Sequence, residues 1–368
     1  MRTRMAIGLV ISVSSLIMTD CATPTTKSLR PALTALAIER VSIEPKTIDV
    51  RKQDLVTIRF DLTHPATVRI DLVDEEGRVV RQLDGGERAP GFQTMSWDGR
   101  DTEGHPVPRG VYRYVIRAQE GQGAQVIYDP SSETGGEELE PRDFAYDRQT
   151  GRLSWVMPKA GYARLRIGIE GFPHLRTLLD WEPLEGGAQA LIWDGLDSSG
   201  LINLKEHPDL SLKLKVFAMP NNTVIVHGEP PAPPSNLAST YPPITKASIA
   251  AFHARHPRAT CREVGVRLEF PGVTQHDPQG RPVLVGIAPI QVAIDEHDAS
   301  RLVNERFELA LFEDLTVIVE EEKGTTPFTY LLDTTMLPPG PHLLTVNVLG
   351  GNDHYGVETR QVIIGAHP

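Results

Sequence analysis

The stretch "WDGRDTEGHPVPRGVY", Trp97 to Tyr112, decides how the rest of the chain is read. It sets Asp98, Asp101 and Glu103 among glycines and prolines, with an aromatic residue at each end. Two chemistries suit it. The acidic side chains could supply hard oxygen ligands to a calcium ion, or Asp could accept hydrogen bonds from amides two residues on while Gly supplies positive φ in a tight turn. The chain carries its own control, because "IWDGLDSSG" recurs from Ile192 to Gly200, with the tryptophans 96 residues apart. Trp193, Asp194, Gly195, Asp197 and Gly200 keep the positions of Trp97, Asp98, Gly99, Asp101 and Gly104, but Glu103 becomes Ser199. A third fixed carboxylate is therefore missing and the spacing is not that of an EF-hand. What survives is turn chemistry, with each tryptophan filling core on the strand before the turn. Calcium is the runner-up.

Around the first turn the sequence alternates apolar and polar residues, the pattern of strands buried on one face. It does so in "LVTIRFDL" (Leu55 to Leu62), "ATVRIDLVD" (Ala66 to Asp74), "FQTMSWD" and "GVYRYVIRA", with "DEEGR" (Asp74 to Arg78) as a hairpin turn. Several short strands at this spacing predict an antiparallel sandwich. The pattern then repeats: "LSWVMPKAGYARLRIGI" answers "IRFDLTHPATVRIDL", and "LRTLLD" answers "VRQLD". Self-similarity at a domain-sized offset predicts two copies of one module, residues 41–118 and 144–227. The acidic, Gly-containing stretch 119–143 between them reads as a linker. A proline-rich joint with one short helix, "ITKASIAAFHARHP", spans 228–263, and alternation returns over 264–366 as a third sandwich. The expected fold class is all-β: tandem Ig-like sandwiches with one short helix in a linker.

The run from Val68 to Ala118 resembles the FlgD Ig-like domain, which is found in the flagellar hook-capping protein and in many exported bacterial proteins. Trp97, Asp98, Gly99, Asp101 and Gly104 sit on that family's "WDG-x-D-x-x-G" pattern, and Val107, Pro108, Gly110, Val111 and Tyr112 on its continuation. The second copy keeps the first half of the motif and replaces the second. The resemblance implies a fold; the hook-docking region of the flagellar protein has no counterpart here, so hook capping does not transfer. The C-terminal part resembles generic bacterial Ig-like modules.

The N-terminus speaks to location. Arg2 and Arg4 precede "MAIGLVISVSSLIM", an apolar run of signal-peptide length. Cys21 follows in "IMTDCATP", which resembles a lipoprotein signal apart from Asp20, where a small residue is usual. Residues 1–21 are thus expected to be a signal, with lipidation of Cys21 or ordinary cleavage as the two readings, and 22–40 a polar tether. Cys261 is the only other cysteine, so disulfides are not expected to hold the fold. The formal net charge of -11 argues against non-specific nucleic-acid binding, which needs a basic footprint.

His253, His256 and Cys261 lie close in sequence and are the candidate metal ligands, with His207 and "DEHD" (Asp295 to Asp298) as outside donors; an exposed helix carrying histidines is the blander alternative. Enzyme signatures such as G-x-S-x-G, H-E-x-x-H and the P-loop do not occur. No catalytic residue or cofactor is expected. Of four tryptophans, Trp181 alone lacks a core assignment and is the one candidate platform for a sugar ring. The expectation is a non-catalytic envelope or extracellular scaffold whose partners are other proteins, with membrane contact only through the N-terminus. The alternatives are a glycan- or calcium-binding module, or an accessory subunit of an exported metalloenzyme.

Overall fold

The computed structural model describes residues 35–123, 125–171, 173–229, 262–302, 307–350 and 354–366. Cys21, the 245–257 helix and the His253, His256 and Cys261 cluster lie outside the described residues. From Leu36 onward the chain forms a single unit of three β-sandwiches.

Module 1 contains β1 (Ile38–Glu44), β2 (Thr47–Asp49), β3 (Val56–Leu62), β4 (Ala66–Val73), β5 (Val79–Arg88), β6 (Gly91–Trp97), β7 (Gly110–Gln119) and β8 (Gln125–Tyr128). Module 2 contains β9 (Glu138–Leu139), β10 (Arg142–Asp147), β11 (Arg152–Met157), β12 (Gly161–Ile169), β13 (His174–Leu184), β14 (Gly187–Ile192) and β15 (Leu210–Ala218), and is followed by β16 (Thr223–His227). Module 3 runs through β17 (Val266–Glu269), β18 (Val283–Leu284), β19 (Ile287–Ile294), helix α1 (Glu296–Leu302), β20 (Phe307–Glu313), β21 (Thr316–Glu321), β22 (Phe328–Asp333), β23 (Gly340–Gly350) and β24 (Tyr355–Ile364). The all-β, tandem-sandwich reading holds. The helix among the described residues, Glu296–Leu302, begins within "DEHD", the segment offered above as a source of outside metal donors.

Each module pairs a three-stranded sheet with a larger one. The small sheets run β1-β3-β6, β10-β11-β14 and β17-β19-β22. Period-two alternation explains the cores. Ala66, Val68, Ile70 and Leu72 of β4 face inward while Thr67 and Arg69 are exposed, and Val56, Ile58 and Phe60 of β3 oppose them from the other sheet. Strands of this kind are stabilised by the area each inward side chain removes from water, roughly 1.5–3 kcal/mol apiece.

The large sheet of module 1 runs β2-β16-β7-β4-β5, so a strand that follows module 2 in sequence lies inside module 1. Both β8 and β16 pair antiparallel with the same edge of β7, in line with one another. Tyr128 lies opposite Ile116 and Thr223 opposite Arg113, leaving two positions of β7 between them. Asp129 and Asn222 stand where one strand would continue: the Asn222 carbonyl accepts from the Tyr114 amide, and its Nδ2 donates to the Tyr114 carbonyl at 2.8 Å and to Asp129 Oδ1 at 3.0 Å. Module 2 is thus inserted in the last strand of module 1.

This differs from the sequence reading in three places, each for a physical reason. Residues 36–40, expected to belong to the polar tether, begin module 1, because Leu36 is buried in its core and Ile38 pairs with Leu62 at the start of β1. Residues 119–143 carry β8 and β9: Val126 and Tyr128 pack on the core of module 1, with Tyr128 stacked on Tyr114 at 6.3 Å, and Leu139 pairs with Val216. Residues 223–227, placed in module 2 by the sequence, complete module 1. "TVIVH" is apolar on both faces because Val224 and Val226 enter the module 1 core, whereas Ile225 packs with Val111, Tyr162, Trp181 and Met219 between the two modules. A strand buried on both sides shows no alternation to assign it.

Candidate functional site

The two WDG turns have nearly the same hydrogen bonds. Trp97 Nε1 donates to the Arg100 carbonyl at 2.8 Å, and Trp193 Nε1 to the Leu196 carbonyl at 2.9 Å. Asp98 Oδ1 accepts from the Arg100 amide and Asp194 Oδ1 from the Leu196 amide. Asp101 Oδ1 takes the amides of Glu103 and His105, while the buried Asp197 takes those of Ser199, Leu201 and Ile202. Gly99, Gly104, Gly195 and Gly200 all have positive φ, and at Gly99 a Cβ would also lie 2.5 Å from Val50 Cγ1. The carboxylates are engaged by amides of their own loops, as turn chemistry requires. Because Asp197 is only 1% exposed and holds three amides, Asp197→Ala is expected to cost about 2–3 kcal/mol in urea unfolding. Asp101→Ala, on a more solvated loop, should cost about 1 kcal/mol.

A third copy of this turn escaped the sequence reading. Asp277 Oδ1 accepts from Gln279 at 3.0 Å and Arg281 at 2.8 Å, Gly280 has φ +78°, and the Asp277 amide donates to the Arg281 carbonyl. The signal was present: "DTEGHPV" at Asp101 and "DPQGRPV" at Asp277 share D-x-x-G-x-P-V. The turn therefore occurs in every module, and module 1 repeats its bonds at Asp74, whose Oδ1 accepts from the Arg78 amide at 2.8 Å with Gly77 at φ +85°.

Trp181, the candidate sugar platform, is 1% exposed. It stacks on Phe217 at 5.3 Å beneath the Arg164 guanidinium, in the apolar cluster between modules 1 and 2. A ring buried in this way offers no face to a glycan, which removes that role from Trp181. His207 accepts from the Asp209 amide in its own turn, and Asp298 accepts from the Gly265 amide. Neither forms part of the three-ligand group found among the described residues, which is Glu313, Asp314 and His342. There His342 Nε2 donates to the Pro338 carbonyl at 2.8 Å and Nδ1 approaches Glu313 at 2.5 Å and Asp314 at 2.8 Å. Burial disfavours the charged imidazole, but these acceptors outweigh it and raise the His342 pKa. An imidazolium that donates from both nitrogens accounts for the geometry, and it braces the β20–β21 turn beside Leu315 and Leu343, which pack on the core of module 2.

The strongest departure from solvated polar surface is the junction of modules 2 and 3. The sequence alternation of "ARLRIG" puts Arg164 and Arg166 on an outer face, yet both are buried. The Arg166 guanidinium lies 3.4 Å from the centroid of Tyr355, and the His174 ring meets the same tyrosine edge-on at 6.0 Å. The His174 amide donates to Asn347 Oδ1 and Asn347 Nδ2 returns a bond to the His174 carbonyl, both at 2.8 Å. The Glu263 amide donates to Asp180 Oδ2, and the Glu263 carboxylate lies 4.0 Å from His174 Nε2. Burial, reinforced by Arg166 and Arg164, lowers His174 to about 3. Burial, reinforced by Asp180, pushes Glu263 up to about 7.

These two shifts oppose one another. The raised Glu263 means that docking is favoured most below its free pKa near 4.5 and loses that contribution as pH rises to about 7. The lowered His174 contributes above about 6.5 and loses its contribution as pH falls toward 3. Glu263→Gln is therefore expected to gain stability relative to the unsubstituted chain between pH 4.5 and 7, by on the order of 1 kcal/mol because the carboxylate is a third exposed. Thermal unfolding across that pH range measures it.

Residues 46–122 match the family model described as FlgD Ig-like domain. The basal-body rod modification protein FlgD of Salmonella typhimurium is 42% identical over 71 residues, which is 19% of this chain and 30% of that protein. FlgD of Escherichia coli is 38% identical over 63 residues, 17% of this chain and 27% of that protein. The chain thus spans under a third of the length of these curated relatives. Among solved structures, FlgD of P. aeruginosa aligns at 23% identity and TM-score 0.21 over 24% of this chain and 66% of that one. The fibronectin(III)-like modules of Clostridium thermocellum CbhA align at 8% identity and TM-score 0.20 over 89% and 97%. The turn geometry and the matched stretch coincide, and module 1 is an Ig-like domain of the FlgD type.

Proposed function

We propose that this chain is a non-catalytic scaffold or adaptor of the bacterial envelope or exterior, holding partner-binding loops and sheet edges at fixed separations. The observation that carries this reading is the double locking of the modules. Module 2 leaves and re-enters module 1 through one strand, and module 3 sits on module 2 through Arg166, Tyr355, His174 and Asn347. A chain crossing twice between two modules restricts their relative motion far more than a single linker. The Arg2, Arg4 and apolar-run signature supports export, with Cys21 as an anchoring point. Among the described residues no helix is long and apolar enough to cross a membrane. Ig-like sandwiches present end loops and strand edges to partners.

The test is a pull-down from solubilised envelopes with the mature chain as bait, with and without EDTA, identified by mass spectrometry. A specific partner retained in EDTA is the expected result. Retention of no protein contradicts the adaptor reading, and retention that vanishes in EDTA replaces it with a metal-dependent one.

A further inference from the structure

A cleft of about 990 Å³ opens where the Ser198–Leu201 turn of module 2 faces β17 and β24 of module 3. Its wall is a strand edge. On one side β24 pairs along its whole length with β23. On the other, β18 covers only Ile363 and Ile364. The amides of Ile363 and Gly365 donate to the Pro282 and Leu284 carbonyls on this second side, and the Tyr355 carbonyl accepts there from Val264. In a strand the backbone groups of alternate residues point the same way. Val357, Thr359 and Gln361 therefore direct N–H and C=O into the cleft, and no backbone partner for them occurs among the described residues.

We propose that this cleft accepts an extended polypeptide segment of a partner protein, which adds as a strand along Val357–Gln361. The inference rests on the adaptor reading and narrows it to one surface. Three considerations identify the occupant. Backbone donors and acceptors at strand spacing are matched by another strand. The slot continues the line of β18, which is already added to β24 in this way. The cleft sets Glu269 and Glu358 against Arg281 and Arg360, so it favours an uncharged segment, with apolar side chains at alternate positions meeting Phe270 and Val273.

The experiment pans a displayed library of random heptapeptides on the immobilised full chain, then measures enriched peptides on the full chain and on Val357→Pro by fluorescence anisotropy. The Val357 amide faces the cleft, so proline removes a docking donor and leaves the β23 pairing intact. Enriched peptides should be uncharged and alternately apolar, and should bind Val357→Pro roughly tenfold more weakly, one hydrogen bond being worth about a factor of ten. Amide exchange on the unsubstituted chain gives a second reading that does not depend on the variant folding. Bound peptide should protect Val357, Thr359 and Gln361, and leave Glu358 and Arg360 unchanged. No enrichment, equal binding to Val357→Pro, or protection elsewhere overturns the proposal. An envelope partner retained equally by Val357→Pro would leave the adaptor reading standing and remove this cleft from it.

Discussion

Trp97→Ala is expected to lower the stability of the protein by about 4 kcal/mol, within the 3–5 kcal/mol that large aromatic truncations in cores cost. The ring is 1% exposed and meets Tyr112 edge-on at 5.4 Å. The substitution opens a cavity between the two sheets of module 1 and also leaves the Arg100 carbonyl without its indole donor. Trp97→Phe keeps most of the packing and loses only the hydrogen bond and part of the volume, so it should cost about half as much. Denaturant unfolding followed by far-UV circular dichroism measures both. A cost below about 1 kcal/mol for Trp97→Ala would mean that the indole does not fill the core as described.

Val226→Asp is expected to be comparably damaging, about 4 kcal/mol, and to do its damage in module 1 although Val226 follows module 2 in sequence. Val226 is 1% exposed and lies opposite Gly110 of β7, in a cluster with Ile48, Val50 and Val107 of module 1. A carboxylate there is buried in apolar surroundings and costs several kcal/mol whether it stays charged or takes up a proton. Amide exchange distinguishes the modules. Protection should fall first in β3, β4 and β7, with β11 and β12 of module 2 holding longer. If β11 and β12 are lost first, the strand belongs energetically to module 2.

Much of this architecture was legible in the sequence. Alternation in "VTIRFDL" and "ATVRIDLV" identified half-buried strands, and the recurring W-D-G-x-D-x-x-G identified turns, because these signals are local. What the sequence did not disclose depends on faces covered by other parts of the chain. Arg164 and Arg166 look like the solvent side of a strand, and only the approach of Tyr355 buries them. The five residues "TVIVH" carry no mark of the sheet they join, since neighbours fill both faces. Trp181 lacked a place in the repeat because it packs between modules rather than within one. The turn at Asp277 was readable, but its D-x-x-G-x-P-V spacing emerges only when the strand and tryptophan that precede it in module 1 are set aside.

Excision of module 2 distinguishes a strand of module 1 that module 2 interrupts from two unrelated strands. Residues 130–221 are removed and Asp129 is joined by a peptide bond to Asn222, giving residues 35–129 followed by 222–229. The joined chain should show a cooperative thermal transition and amide protection in both β8 and β16, with the same segment ending at Asp129 much less stable because Val224 and Val226 no longer close the core. Equal stability with and without residues 222–229, or a joined chain that does not fold while the intact one does, would contradict the interrupted strand.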